Sequence, residues 1–215
     1  MYYLFMDLEA TDKYAGGKDG SSFVSGITEI AAILYDIDND LEIDRFHKLC
    51  YPKGRKMSQG AIEATGYTDL FLSQFEREYE VLLEFATWVG VHNMEGRIAY
   101  LVGHNLEVFD SYLINNRMAQ FDIQWPLANQ REKIIDTYKH AKGVKSRGIP
   151  KRIENTGYLT PSGKSVSYTQ ESIAKYYGIE YDAHHAIDDI LALIKIFKKM
   201  FGVDNIKERR RSNGF

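Results

Sequence analysis

Asp7 and Glu9 stand two residues apart at the end of an otherwise apolar run. If that run is a strand, alternation sends both side chains to one face, about 7 Å apart along the chain. Two carboxylates so placed repel unless positive charge lies between them. A divalent cation supplies that charge, and hard oxygen donors suit magnesium or manganese. A plainer account is a strand end whose acids face water, and a lone Asp-x-Glu is more often that. Two further acids shift the balance. On helical spacing Asp110 shares a face with Leu113, Ile114, Met118 and Phe121, and Asp189 with Leu193, Ile196 and Met200. An acid on an apolar helix face needs a partner. For Asp110 the competing account is a first-turn acid serving the helix dipole. Asp188 aligns instead with Ala192, Lys195 and Lys199, and reads as a solvated charge. Three separate elements therefore bring acids toward a core, and a two-metal centre needs such a set.

The elements that must position these acids follow from periodicity. Residues 2–9 alternate as a strand with apolar residues on both faces, so helices should cover both sides. Residues 27–35 and 41–51 form two more strands, linked by the polar turn 36–40 into an antiparallel meander. Helices are expected over 58–65 and 75–91, a fourth strand over 98–102, and a helix over 106–120. A short strand at 133–136 leads into a helix at 137–141. Residues 143–166 are basic and loop-like, with a hairpin turn around Pro161-Ser162-Gly163. Helices over 170–177 and 186–201 end at Gly178 and Gly202. Strands first, then strands and helices interleaved, describe an α/β fold with a mixed central sheet flanked by helices.

The same residues carry a resemblance. Phe5-Met6-Asp7-Leu8-Glu9-Ala10-Thr11 resembles the first motif of the DEDDh (DnaQ-like) 3′–5′ exonucleases. Leu101-Val102-Gly103-His104-Asn105, three intervening residues and Phe109-Asp110 resemble the second, and His184-x-Ala186-x-x-Asp189 the third. Leu-Glu-Ala-Thr, the three-residue gap and Ser167-Tyr168 are most similar to the three-prime repair exonucleases. The resemblance runs from Tyr2 to about Gly202. The segments 13–26 and 143–166 look longer than in compact members.

What the resemblance implies is specific. The fold should be RNase H-like. Two divalent ions, Mg2+ or Mn2+, would be held by Asp7, Glu9, Asp110 and Asp189, about 3.5–4 Å apart. One would activate a water and the other stabilise the leaving 3′-oxygen. His184 would act as general base. It stands five residues before Asp189, as the motif requires, whereas His185 stands four before. Thr11 and the backbone of Leu8 and Ala10 would hold the terminal nucleotide. Asn105 would position the strand, or would simply cap a helix. His104 reads as structural, and Glu29 and Glu107 have no assigned role. The implied activity is release of 5′-mononucleotides from the 3′ end of DNA, on single-stranded or frayed ends. An RNA 3′ exonuclease of the RNase T or oligoribonuclease kind uses identical chemistry. A polymerase-associated proofreading subunit is a further alternative.

The bulk numbers are permissive. The 215 residues carry a net charge of −3 and suit one domain, residues 1–202, followed by a short basic tail, residues 203–215. Whole-molecule charge does not advertise nucleic-acid binding, but the acid-free run 137–153 contains Lys145, Arg147, Lys151 and Arg152. These are candidates for phosphate contacts, or a solvated loop. Cys50 is the sole cysteine, which excludes an intrachain disulfide and a cysteine-built metal site. A reducing, cytoplasmic setting is the default expectation, with a nuclear one left open. No stretch is long and apolar enough to span a membrane. Oligomeric state, a homodimer included, is left open.

Overall fold

The computed structural model describes residues 2–13, 25–128 and 130–203. Most of the long loop expected at 13–26 and all of the basic tail beyond Val203 lie outside the described residues. Five strands form one mixed sheet, β1 (Tyr2–Ala10), β2 (Ile27–Asp36), β3 (Leu41–Leu49), β4 (Ile98–Gly103) and β5 (Ile134–Asp136), in the order β3-β2-β1-β4-β5. β1 pairs antiparallel with β2, and β2 antiparallel with β3. β4 runs parallel to both β1 and β5. Every residue of β2 is buried. Its turn into β3 is held by Asp36, whose Oδ1 accepts from the Asp38 and Asn39 N–H groups.

The helices are α1 (Gln59–Thr65), α2 (Asp69–Leu72), α3 (Glu78–His92), α4 (Asp110–Gln120), α5 (Thr137–Lys142), α6 (Gln170–Tyr176) and α7 (Ala186–Phe201). Both sheet faces are covered, as the apolar alternation of β1 requires. Leu4, Met6 and Leu8 pack with Val81, Leu82 and Phe85 of α3 and Leu113, Ile114 and Met118 of α4. Phe5, Ala31, Ile33 and Val102 pack on the other face with Ile190, Leu193, Ile194 and Phe197 of α7. The far side of α7 buries Ala192, Ile196 and Met200 against Ala141, Ile153, Ile173 and Ala174. Ala192 thus corrects the expectation that the whole Asp188 stripe is polar. Among the described residues no helix is long and apolar enough to cross a membrane.

Some boundaries differ from periodicity, each for a local reason. α3 starts at Glu78 because the Glu80 carboxylate accepts from the Arg77 N–H at 2.9 Å, so the chain enters the helix there. α4 starts at Asp110, not Leu106, because Asn105 takes a left-handed φ of 59° and the next residues turn first. β3 stops at Leu49, and Tyr51 makes an isolated bridge to Arg77. α2 has too few residues to show a period. The turn expected around Pro161-Ser162-Gly163 is present, with Thr160 N–H donating to Ser165 O at 2.8 Å.

One buried ion pair ties the two halves of a face together. Glu78, at the start of α3, accepts from Arg117 of α4 (Nε at 2.7 Å) and from the Ile27 N–H (2.9 Å). Both charged side chains are almost fully buried, at 2% and 5% exposure. Removing one partner strands the other charge, so Glu78→Ala should cost about 3–5 kcal/mol in urea unfolding. A loss under about 1 kcal/mol, the range of an exposed pair, would show that the pair is not a structural tie.

Candidate active site

The expected acids meet at the end of the sheet where strand pairing runs out. β4 accompanies β1 only as far as the pair Phe5 with Val102. Beyond it, the Leu8 N–H is given to Asp110 Oδ1 at 3.0 Å. Asp110 is the first residue of α4 and is 3% exposed, so the first-turn account and the core-facing account both describe it. Asp7 and Glu9 leave β1 on the α7 face and are half-buried. Asp189 lies in the first turn of α7. Its Oδ1 accepts from Gln170 Nε2 and its Oδ2 from the His184 N–H, both at 2.9 Å. Ligand oxygens of Asp7, Glu9 and Asp189 lie within 4.8 Å of one another.

All four acids, with Leu8, Asn105 and His184, line one open cleft of about 320 Å³. No lysine or arginine among the described residues lines it. The charged forms are therefore disfavoured. Burial, then the neighbouring Asp189, Glu29 and Asp110, push Glu9 up to about 8. Burial also pushes Asp110 up to about 8, against two backbone N–H donors that favour its carboxylate. Asp7 is raised well above the carboxylate range by burial, then by Asp110, Glu9 and Asp189. Asp189 is raised by burial, with the His184 N–H opposing.

His184 is exposed and adopts a left-handed φ of 74°, unusual for a non-glycine residue. That turn aims its N–H at Asp189, while its Nε2 lies 3.4 Å from Glu171 Oε1. His185 is held elsewhere, with Nδ1 3.0 Å from the Tyr67 hydroxyl. His104 is structural in its placement: its Nε2–H donates to Tyr168 O at 3.0 Å, and burial lowers it to about 4, keeping it neutral.

Asn105 is not a helix cap. Its N–H donates to Asp136 Oδ1 at 3.0 Å, and the N-cap of α4 is Phe109. Gly103 makes this bend compact, since a Cβ there would lie 2.7 Å from Leu106 Cδ1.

Other expected substrate contacts are not brought to the cleft. A bulge between Glu9 and Ala10 redirects the strand. Ala10 is then 6% exposed and Thr11 1%, and Thr11 Oγ1 accepts from the Gly26 N–H at 3.0 Å. Lys145, Arg147, Lys151 and Arg152 do not line the cleft either. Arg147 pairs with Glu107 at 2.5 Å and Lys151 with Glu154 at 3.1 Å, while the Arg152 guanidinium lies 5.2 Å from the centre of the Phe201 ring. Sequence reasoning missed Gln170, whose partner Asp189 lies 19 residues away. It also gave no role to Glu29, which is 1% exposed and directly across the sheet from Glu9.

Comparison with known proteins agrees with this geometry. The RNase T exonuclease family model matches residues 4–197. A PolC-type DNA polymerase III of Staphylococcus epidermidis is 31% identical over 207 residues, covering 96% of this chain but only 12% of that polymerase. The nuclease domain of 3′hExo, a DEDDh family member solved with rAMP, superposes with a TM-score of 0.64 at 18% identity, covering 94% of this chain and 92% of that one. E. coli Exonuclease I in complex with a dA16 oligonucleotide gives 0.67 at 20% identity, covering 92% and 41%. These structures share the RNase H-like mixed sheet. The family model covers most of the chain and a relative of 31% identity matches 96% of it, and the chain is a member of the DEDDh exonuclease family.

Proposed function

We propose that this chain hydrolyses DNA from the 3′ end, on single-stranded or frayed termini, and releases 5′-mononucleotides with the help of two divalent ions, Mg2+ or Mn2+. The observation that carries this reading is the convergence of Asp7, Glu9, Asp110 and Asp189 on one cleft, with His184 bonded through its backbone to Asp189. The donor set fits the ions: carboxylate oxygens only, within reach of one another, with their charged forms disfavoured until a cation arrives. When bound, such ions supply Lewis acidity at the phosphodiester and charge compensation for the carboxylates.

The remaining work falls to the chain. Asp110 is oriented by the Leu8 N–H, and Asp189 by Gln170 and the His184 N–H. The exposed His184 imidazole lines the cleft beside Glu171, and turned toward an attacking water it would take the water's proton. Leu8 and Asn105 line the same cleft and are placed to meet the terminal nucleotide. The Staphylococcus relative is a DNA polymerase, which favours proofreading beside a polymerase as a second reading. Co-purification with a DNA polymerase would support that second reading, and its absence under the same conditions would count against it.

The activity test uses matched DNA and RNA oligomers, labelled at either end, with magnesium or manganese. Stepwise 3′ release from DNA, abolished by EDTA, is expected. Activity unchanged by EDTA would overturn the metal-dependent mechanism, and cutting of a circular substrate would overturn the exonuclease reading. Faster degradation of RNA would reassign the substrate.

Single Asp7→Ala, Glu9→Ala, Asp110→Ala and Asp189→Ala variants should be folded and inactive. His184→Ala should lose roughly 10²–10⁴-fold in rate. Asp188→Ala should lose little. An inactive Asp188→Ala beside an active Asp189→Ala would reverse the assignment.

Stability of the metal-free protein should report the same crowding of charge. Groups raised in the folded state stabilise it below their unfolded pKa and lose that contribution as pH rises through the folded value. In EDTA the thermal midpoint should therefore fall as pH climbs from the ordinary carboxylate range through about 8. Added magnesium or manganese should flatten the fall. A midpoint that rises across this window in EDTA would contradict the charge crowding.

A further inference from the structure

Glu29 is a buried acid inside the sheet that does not line the cleft, and two groups donate to it. Its Oε1 lies 2.7 Å from His47 Nε2 on β3, and its Oε2 accepts from the Tyr67 hydroxyl at 3.0 Å. The Tyr67 oxygen also lies 3.0 Å from His185 Nδ1. A phenol has one proton. With that proton given to the Glu29 carboxylate, the second contact requires His185 to donate from Nδ1. The chain of donors therefore has one direction, from His185 through Tyr67 to Glu29, and it fixes the His185 tautomer.

Tyr67 is held on every side. It follows the left-handed Gly66 that ends α1, its N–H donates to Thr65 Oγ1 at 3.1 Å, and its ring stacks on Phe71 with centroids 5.4 Å apart. Burial and the nearby Glu29 push its hydroxyl further above the ordinary value, so it stays a donor. His185 is the N-cap residue of α7, a helix with no side-chain cap of its own. It connects the left-handed His184 to the turn that carries Asp189.

We propose that Tyr67 and His185 are positioning residues for the hydrolytic step: the Tyr67 hydroxyl clamps His185 to the buried Glu29 and so fixes the backbone that presents His184 and Asp189. The proposal rests on the exonuclease reading above. Neither side chain lines the cleft, so their effect should fall on turnover and not on substrate affinity.

The test compares the full chain with Tyr67→Phe, His185→Ala, His185→Asn and the Tyr67→Phe/His185→Ala double variant. Tyr67→Phe keeps the ring stack and removes only the hydroxyl. Losing the clamp should lower kcat about tenfold with KM unchanged, well short of the loss expected for His184→Ala. The double variant should be no slower than either single, because both break one link. Asparagine, whose amide nitrogen falls close to the Nδ1 position, should restore most of the rate lost in His185→Ala. Nitrogen NMR supplies a readout independent of activity: His185 should be protonated on Nδ1 in the parent and lose that preference in Tyr67→Phe. An Nε2-protonated His185 in the parent would overturn the clamp even in an active enzyme. A raised KM with kcat held, or multiplied losses in the double variant, would overturn it as well. An inactive parent with the Nδ1 tautomer intact would instead remove the exonuclease reading and, with it, the assigned purpose of the clamp.

Discussion

Repulsion among four carboxylates is the constraint around which the molecule is arranged. Left to themselves, Asp7, Glu9, Asp110 and Asp189 would move apart or into water. They are held together because each stands on an element anchored well away from the cleft. β1 is locked between β2 and β4, with large side chains buried on both faces. α4 is anchored by Leu113, Ile114 and Met118, and α7 by Ile190, Leu193, Ile194 and Phe197. Burial of each such side chain contributes about 1.5–3 kcal/mol. The apolar layers thus offset the cost of crowding charge.

The short backbone bonds at the cleft do a different job from the core. The Leu8 N–H on Asp110 and the His184 N–H on Asp189 orient carboxylates without neutralising them. Two residues reach these positions through left-handed backbone. Asn105 bends the chain between β4 and α4, and His184 bends it into α7. Such conformations are uncommon for residues with a Cβ and persist where surrounding bonds over-determine them. Asp136 supplies that support for Asn105 by accepting from the N–H groups of Asn105 and Glu107 while capping α5.

How much of this was legible in the sequence depends on the range of the signal. Alternation in β1 and helical spacing in α7 are local, so the shared face of Asp7 and Glu9 and the inward aim of Asp189 could be read directly. The apolar stripe of α4 likewise showed Asp110 facing the core. Tertiary pairs were invisible. Gln170 on Asp189, Tyr67 on Glu29 and Glu78 on Arg117 join residues that no periodicity relates. The acid-free run 137–153 could be read as phosphate contacts or as a solvated loop, but its pairing of Arg147 with Glu107 and Lys151 with Glu154 could not, because both acids lie outside the run. Thr11 was named through the family resemblance alone, and neither its burial beyond the bulge between Glu9 and Ala10 nor its bond from the Gly26 N–H leaves a mark on composition.

The early end of β4 has a wider meaning. β1 continues past Phe5 with β2 on one side and nothing of β4 on the other, so the sheet splits into a notch. Ligand crevices in open α/β sheets form where neighbouring strands part company at their carboxyl ends. Here the notch is floored by a strand edge that β4 no longer pairs and walled by the starts of two helices. Its width is therefore a matter of strand length. Continuing the pairing of Phe5 with Val102 by three residues would bring β4 level with Leu8 and set its N–H against a strand carbonyl in place of Asp110 Oδ1, reshaping the opening without altering a single acid. The gauge of the site is written in where a strand stops, which separates the size of what can enter from the chemistry performed on it.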